Sequence, residues 1–323
     1  MEVKLKERDN EVKDKIIIDE RPEVNLWKDA FRRLLKNKMA VVGGIIIIIL
    51  VLLSIFANYI APYHFAEGNL LENYAKPGAK YMLGADFMGR DLLSRIIYGT
   101  RISLSVGLVG AITAFIIGVL YGVTSGYYGG KVDDIMMRFV DIMYGFPTLL
   151  LIILLMVLFK SSFAVTTPGT FAGTLSAIDK TFGGLFFIFI GIGVTAWLSM
   201  ARIARGMALS LREKEFVEAA RAEGATNLQI ILRHVLPNLL GPCIIRVTLD
   251  IPYYITYEAF LSFIGLGVNP PTPSWGMMIS EGYRAIRSYP HLALYPGIAL
   301  AITMLAFNFL GDGLRDALDP RMK

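Results

Sequence analysis

Four side chains that could carry charge or move protons follow one another at intervals of four residues. They are Arg246, Asp250, Tyr254 and Glu258, and this spacing places them on one face of a helix. The surrounding stretch is otherwise apolar, and a charge inside a membrane is costly unless it is paired or hydrated. Arg246 and Asp250 can pair with each other, whereas Glu258 needs water or a partner from another helix. The face predicts either the polar lining of a translocation path or a structural ion pair.

Residues for covalent, phosphate or metal chemistry do not form a recognisable set. The sequence contains no G-x-x-x-x-G-K-[ST], G-x-S-x-G or H-E-x-x-H motif, and Gly129-Gly130-Lys131-Val132 lacks the spacing and the hydroxyl of a phosphate loop. The histidines, His64, His234 and His291, are scattered, and one cysteine, Cys243, excludes a disulfide scaffold. We expect no catalytic residue, no metal site and no cofactor in this chain.

The composition indicates the environment in which the four polar side chains lie. The chain has 323 residues, of which 54% are hydrophobic and 18% charged, and ordinary soluble domains have about 25% charged residues. The mean hydropathy is +0.54. These values exclude a typical soluble domain and a disordered chain, and they indicate one membrane-embedded unit.

Six stretches are long and apolar enough to cross about 30 Å of hydrocarbon as helices. The sequence therefore predicts an all-α, polytopic membrane protein with six transmembrane helices. The first 22 residues are charged and lack the apolar core of a signal peptide, so we expect the first span to be retained. The predicted spans are Met39 to Ile60, Ile102 to Gly130, Ile142 to Phe159, Thr181 to Ala201, Leu236 to Phe263 and Ser288 to Gly311.

The distribution of lysine and arginine predicts the orientation. With a cytoplasmic N-terminus, the inner segments hold 16 Lys and Arg residues and the outer segments hold 9. The excess on the inner side favours both termini in the cytoplasm. It also accounts for the sequence pI of about 9.1 without a nucleic-acid partner.

These predictions divide the chain into successive segments. Val24 to Lys38 has apolar residues on one face and basic residues elsewhere, which is typical of a helix that lies on the membrane surface against lipids. The predicted segments are a disordered cytoplasmic tail (1–22), the amphipathic helix (23–38), the first transmembrane helix (39–60), an extracytoplasmic segment (61–101), a core with five transmembrane helices (102–314) that includes a cytoplasmic loop (202–237), and a C-terminal cytoplasmic tail (315–323).

The second predicted span carries a small residue at every fourth position, which lets two helix backbones approach closely. The pattern predicts tight helix packing, with a helix that slides beside a pore as the alternative. The residues are Gly110, Ala114, Gly118, Gly122 and Gly126.

The cytoplasmic loop contains signals for two short helices. The first is predicted over Glu213 to Glu223 and ends at Gly224. Thr226 and Gln229 form a capping box for a second helix, which we expect to end at Pro237. A compact element of this kind can dock in a groove of a soluble partner.

Motifs in and beyond this loop resemble those of a known family. Glu218-Ala-Ala-Arg-Ala-Glu-Gly224, followed by Leu236-Pro237, resembles the EAA loop of ABC importer permeases, although His234 stands where the general motif has Ile. Four further segments are similar to the C-type permease subunits of dipeptide, oligopeptide and nickel importers: Leu232-Arg-His-Val-Leu-Pro-Asn238, Leu83 to Asp91 with Arg101-Ile-Ser-Leu104, Pro270-Pro-Thr-Pro-Ser-Trp-Gly276, and Asn308 to Pro320.

The resemblance implies a fold, partners and site residues. It implies the type I ABC importer permease fold in a prokaryotic inner or plasma membrane, with transport of dipeptides or oligopeptides. The implied partners are a second, B-type permease, two ATPase subunits that bind ATP and Mg²⁺, and an extracytoplasmic substrate-binding protein, which Pro62 to Arg101 would face unless this segment faces the second permease. The residues implied to couple to the ATPases are Glu218, Ala219, Ala220, Gly224, Ala225, Leu228, Leu232 and Pro237.

Three alternatives remain at this point. Nickel chelates and oligosaccharides are carried by closely similar permeases. A secondary transporter driven through Asp250 and Glu258 is physically possible, although the two halves of the chain show no repeat. An intramembrane enzyme would need a nucleophile–base pair or a ligand set, which the sequence does not present.

Overall fold

The computed structural model describes residues 26–163 and 169–318, and its regular structure in these ranges is helical apart from two isolated bridges, Gly68 with Arg90 and Ala85 with Asp91. Residues 1–22 and 319–323 of the predicted tails lie outside the described residues. The helices are α1 (Leu26–Lys36), α2 (Lys38–Ile55), α3 (Ala57–Ile60), α4 (Leu92–Tyr128), α5 (Gly130–Tyr144), α6 (Thr148–Ser162), α7 (Phe171–Thr181), α8 (Leu185–Leu211), α9 (Glu215–Ala222), α10 (Asn227–Ile230), α11 (Leu236–Phe263), α12 (Trp275–Tyr283) and α13 (His291–Leu318), with a 3₁₀ turn at Leu70–Glu72 and a π segment at Ile231–Val235.

The prediction of an all-α, polytopic membrane protein is confirmed. In the described ranges, five helices are long and apolar enough to cross a membrane, and a sixth crossing exists if the bent pair α5 and α6 counts as one. The five are α2, α4, α8, α11 with its preceding turns, and α13. The cytoplasmic placement of the termini remains a prediction.

The third span differs from the predicted straight helix over Ile142 to Phe159. The axes of α5 and α6 meet at 78°, and the break falls at Gly145, Phe146 and Pro147. Proline has no N–H to donate and disfavours helical geometry in the residue before it, so the chain turns here. The uncharged run therefore begins in one helix and continues in another.

Two helices extend about ten residues beyond the uncharged runs that predicted them. α4 begins at Leu92 rather than Ile102, because its charged first turns are partnered: Asp91 caps the helix by accepting from the Ser94 N–H at 2.8 Å, and Arg101 donates to the Ser54 carbonyl at 2.9 Å. α8 continues to Leu211 past the predicted end at Ala201. At about 1.5 Å per residue, the 37 residues of α4 reach well beyond the hydrocarbon layer.

The two ends of the helix bundle have different covers. At one end, residues 61–91 pack with residues 264–290, and the rings of Tyr74 and Tyr289 stack at 4.5 Å; we call these two segments the cap. At the other end lie the turns between α8 and α11, which we call the loop end. Trp275 of α12 is fully buried and donates from its indole nitrogen to the Ile96 carbonyl at 3.2 Å, so the cap is fastened to α4.

The predicted amphipathic segment contains α1. This helix packs on α13, where Leu34 lies against Gly313, while Phe31 and Leu35 are exposed. Asn37 accepts from the Ala40 N–H at 3.2 Å, which caps α2, and donates to Asp316 at 3.3 Å. The exposed apolar side chains of α1 are compatible with a helix that lies on the membrane surface. That location remains a prediction.

Candidate functional site

The first part of the loop end is a short helix with a defined stop. α9 ends at Ala222, and Gly224 takes the left-handed conformation with φ of 87°. The Gly224 N–H donates to the Arg221 carbonyl at 3.1 Å, and the Ala225 N–H donates to the Ala220 carbonyl at 3.0 Å. This is the Schellman arrangement, and it confirms the predicted helix end at Gly224.

The second part starts as predicted and ends differently. Thr226 accepts from the Gln229 N–H, and the Thr226 N–H donates to the Gln229 side chain at 2.8 Å, so the capping box is confirmed. The predicted stop at Pro237 is wrong. The π segment Ile231–Val235 adds a residue to the turn, and Pro237 then sits in the first turn of α11, where its missing N–H is tolerated.

The correction changes the architecture of the loop end. Residues 227–263 form one continuous helical rod rather than a short loop helix followed by a separate span. α10 is therefore joined to the membrane helix α11 without an intervening loop.

The inner side of this element is anchored in the bundle. Val217, Ile230 and Val235 are fully buried and pack in one cluster with Ala208 of α8. The hydroxyl of Tyr127, at the end of α4, donates to the Asn227 side chain at 3.1 Å. α9 and α10 are therefore in direct contact with the ends of α4 and α8.

The outer side exposes apolar surface. Phe216 is 41% exposed, Leu228 64% and Leu232 51%. These side chains lie in α9, α10 and the π segment, and exposed apolar surface can serve as an interaction surface. We call Phe216, Leu228 and Leu232 the coupling surface, after the role that the sequence resemblance implies for this loop.

The residues implied to couple to ATPases fall on both sides of this element. Ala220 is buried and Ala225 is half-buried. The exposed ones are Glu218, Ala219, Gly224, Leu228, Leu232 and Pro237. Phe216 was missed in the sequence, although a large apolar residue between Glu215 and Glu218 was a usable signal.

Ion pairs that the sequence did not reveal connect α5 to α8 near the loop end. Arg205 donates to Asp133 at 2.9 Å, and Ser125 of α4 donates to the same carboxylate at 2.5 Å. Further along, Arg202 donates to Asp141 at 2.6 Å. The paired residues are more than sixty positions apart, so no sequence spacing could have indicated them.

The polar face of α11 divides into two environments. Arg246 and Asp250 form the predicted pair, with 3.0 Å between their nearest atoms, and Arg246 also donates to Ser199 at 3.2 Å. The Arg246 side chain is 43% exposed, whereas that of Asp250 is 7% exposed. Tyr254 is buried, and its hydroxyl donates to the Ala196 carbonyl at 3.3 Å.

Glu258 has the environment of a structural residue. Its exposed fraction is zero. Ser103 of α4 donates to it at 3.2 Å and Ser262 donates at 2.6 Å, while Ser274 donates to Ser262 at 3.2 Å. The partner from another helix that the sequence required is thus Ser103. In this chain Arg246 borders open space and Glu258 does not.

The small-residue stripe of α4 lies between α8 and α11. A Cβ added to Gly118 would lie 2.6 Å from the Cβ of Met200, and one added to Gly126 would lie 2.9 Å from the Cβ of Ala208. Gly122 faces the backbone of Ala201, Gly110 faces the ring of Tyr254, and Ala114 is fully buried. At the stripe, α4 therefore approaches α8 and α11 closely.

The predicted extracytoplasmic segment is held by polar contacts. Lys80 donates to both oxygens of Glu72 at 2.6 Å, and Tyr81 donates to Glu72 at 2.8 Å. These hydrogen bonds lower the pKa of Glu72. Beside them, Leu71 is 93% exposed, so this segment also offers apolar surface.

Comparisons with known proteins extend over nearly the whole chain. A family described as "Binding-protein-dependent transport system inner membrane component" matches residues 92–323, and one described as "N-terminal TM domain of oligopeptide transport permease C" matches residues 25–77. The oligopeptide transport system permease protein OppC of Bacillus subtilis (strain 168) is 40% identical over 300 residues, which are 93% of this chain and 91% of the relative. The dipeptide transport system permease protein DppC of the same organism is 40% identical over 304 residues, covering 94% and 88%.

The fold also has a solved neighbour. A chain of the MetNI methionine ABC transporter in an inward-facing conformation superposes with a TM-score of 0.53 at 20% identity, covering 69% of this chain and 96% of the other. At this identity the likeness concerns the fold alone.

Proposed function

Because this chain belongs to the binding-protein-dependent transport system inner membrane components, we propose that it forms half of the translocation pathway of an ATP-driven importer for dipeptides and oligopeptides. It is a multi-pass membrane protein and a transport subunit. The peptide substrate is proposed because similar chains are named for oligopeptide and dipeptide transport.

The observation that carries this proposal is the coupling surface. Phe216, Leu228 and Leu232 are exposed on an element whose other side is packed into the bundle. Apolar side chains held in place at the end of a transmembrane bundle suit the groove of a soluble partner. We propose that this partner is an ATPase subunit and that the loop end faces the cytoplasm.

The continuous helix from residue 227 to 263 suggests how movement of the ATPase subunits would be transmitted to the membrane helices. When two ATPase subunits bind ATP and Mg²⁺ and approach each other, they would displace α9 and α10. Since α10 runs into α11, the displacement would reach the pair Arg246 and Asp250 of α11. Nucleotide binding would thereby shift the equilibrium between two conformational states of the translocation pathway.

The family's description names a binding protein, which in this proposal delivers the peptide on the outer side. The sequence resemblance implies a second permease of the B type, which would complete the pathway. In this proposal the partly exposed Arg246 borders the path. The buried Asp250 holds Arg246 in position, while Tyr254 and Glu258 hold α11 against α8 and α4.

The proposal is tested with the coupling surface in the assembled transporter. The variant Leu232→Glu places a charge where an apolar contact is proposed, and we expect the ATPase subunits that co-purify with the complex to fall by about tenfold or more. Leu71→Glu is the matched control, because it adds the same charge to an exposed leucine of the cap.

Uptake separates the importer from the alternatives. Proteoliposomes with the wild-type complex and its binding protein should accumulate a labelled dipeptide only with ATP. Full co-purification of the ATPases with Leu232→Glu, or uptake driven by an ion gradient in the chain alone, would contradict the proposal.

A further inference from the structure

A pocket opens within the cap, away from the coupling surface. Its volume is about 400 Å³, within the range of small-molecule sites. We call it the cap pocket. It is lined by Tyr74, Phe87, Ser262, Met277, Glu281 and Arg284, among others.

A narrow recess adjoins the cap pocket. Tyr74, Phe87 and Glu281 border both spaces, and the recess adds Asp86 and Arg95. Its volume is about 10 Å³, which is roughly the space that one water molecule or one carboxylate oxygen needs. The recess therefore has room for about one ligand atom beside Arg95.

Arg95, which lines the recess, has unsatisfied hydrogen-bond donors. Arg95 is 1% exposed, and its NH1 donates to Asp86 and, at 2.7 Å, to Glu281. Its Nε and NH2 are buried and have no hydrogen-bond partner. Buried donors without a partner are costly and unusual, and those of a guanidinium suit the oxygens of a carboxylate.

The arginines and carboxylates around the pocket carry a net charge of about one positive unit. Asp86 and Glu281 are matched by Arg90 and Arg95, which form ion pairs with them. Arg284, on the pocket wall, is exposed, and no ion pair is found for it among residues 26–163 and 169–318. The pocket therefore favours a ligand with one negative charge.

The remaining walls of the pocket suit the side chains and backbone of a peptide. Tyr74, Phe87 and Met277 provide aromatic and flexible apolar surface. Ser262, which also lines the pocket, donates a hydrogen bond to Glu258. The pocket thus combines an apolar wall with donors for one carboxylate.

We propose that the cap pocket binds the C-terminal carboxylate of a peptide, with Arg284 at its mouth and the free donors of Arg95 in its recess. This inference rests on the peptide transport proposed above. The pocket would hold the peptide after its delivery and before it enters the pathway between the two permeases.

The test uses a photoreactive dipeptide of alanine and p-benzoyl-phenylalanine on the complete complex in nanodiscs without the binding protein. On illumination the benzophenone carbonyl carbon inserts into a C–H bond of a nearby side chain, and mass spectrometry locates the new bond. We expect saturable labelling at Met277 or Tyr74. The C-terminal amide of the same dipeptide should label at about one tenth of that level, since it lacks the charge.

Variants assign the effect to the pocket. Arg284→Gln should reduce labelling by the free acid about tenfold and leave labelling by the amide unchanged. Arg287→Gln is the matched control, because Arg287 is an exposed arginine of the same segment that does not line the pocket. Equal labelling by acid and amide, equal loss in both variants, or labelling that does not saturate would each overturn the inference.

Two further outcomes are separable. If Arg284→Gln weakens binding of the delivery protein but not labelling by the peptide, the pocket recognises an acidic protein side chain and the peptide assignment falls. If wild-type proteoliposomes import the dipeptide with ATP but no cap residue is labelled, the importer proposal stands and this inference fails.

Discussion

At the scale of single residues, the acids of α11 show how burial decides a role that spacing leaves open. Asp250 and Glu258 occupy the same helix face in the sequence. Asp250 is paired with an arginine that reaches open space, whereas Glu258 is enclosed and hydrogen-bonded by serines of α4 and α11. The periodicity placed both residues on one face, but it could not show that α4 and α12 cover the Glu258 end of that face.

The enclosure of Glu258 predicts which substitutions the chain tolerates. Glu258→Gln keeps the size and an acceptor oxygen for the serines, so we expect it to change the free energy of unfolding by less than about 1 kcal/mol. Glu258→Ala leaves the Ser103 and Ser262 hydroxyls without their acceptor and should cost about 1–3 kcal/mol. Thermal unfolding of the detergent-solubilised complex measures both variants.

The same pair of variants distinguishes structure from transport. If Glu258 lined the path, Glu258→Gln would abolish uptake without loss of stability, and the structural role would be refuted. The conservative variant should instead transport at nearly the wild-type rate.

At the scale of helices, the caps were predictable and the lengths were not. Gly224 and Thr226 fixed the turn between α9 and α10 from local sequence, because the left-handed residue and the capping box are local interactions. The extensions of α4 and α8 depend on partners far along the chain, such as Asp133 for Arg205. The predicted spans ended at the first charged residue, whereas the folded helices α4 and α8 continue past such residues.

The continuation past Pro237 has a similar cause. Proline ends a helix because its ring clashes with the carbonyl four residues earlier and because it has no N–H to donate. Here the π segment makes room for the ring, and the sequence carries no simple signature of that extra residue.

The stripe on α4 gives a prediction at this scale. A Cβ added to Gly122 would meet the Ala201 backbone and would lie 2.8 Å from the Cβ of Ala204, so α4 and α8 must separate. We expect Gly122→Ala to lower the free energy of unfolding by about 1–3 kcal/mol.

The control for this prediction is another helical glycine. A Cβ on Gly206 of α8 meets nothing within 4 Å, so Gly206→Ala should be neutral or should stabilise the protein by up to about 1 kcal/mol. Melting curves of the two purified variants provide the comparison. Equal destabilisation by both would mean that the close approach of α4 and α8 does not depend on glycine.

At the scale of the whole molecule, the two ends of the bundle are built for different tasks. At the loop end, exposed leucines lie on a helix that continues as an apolar span, while the cap encloses paired charges and a pocket. The sequence predicted the extracytoplasmic segment 61–101 and the cytoplasmic loop 202–237, because charged residues separate the apolar runs. It could not predict the cap pocket, because its walls come from residues 74–87 and 262–284 that only folding brings together.

Because the cap and the loop end lie at opposite ends of the bundle, the orientation in the membrane can be tested by labelling of introduced cysteines. The natural Cys243 has an exposed fraction of zero, so the parent chain should react little with a membrane-impermeant maleimide. Leu71→Cys replaces a cap leucine that is 93% exposed, and Leu228→Cys replaces a loop-end leucine that is 64% exposed. In intact spheroplasts we expect labelling of the first variant alone, and after permeabilisation labelling of both. The excess of lysine and arginine at the loop end is the physical reason. The opposite pattern would place the coupling surface outside the cell, where no ATPase could reach it, and the proposed coupling to ATP would be ruled out.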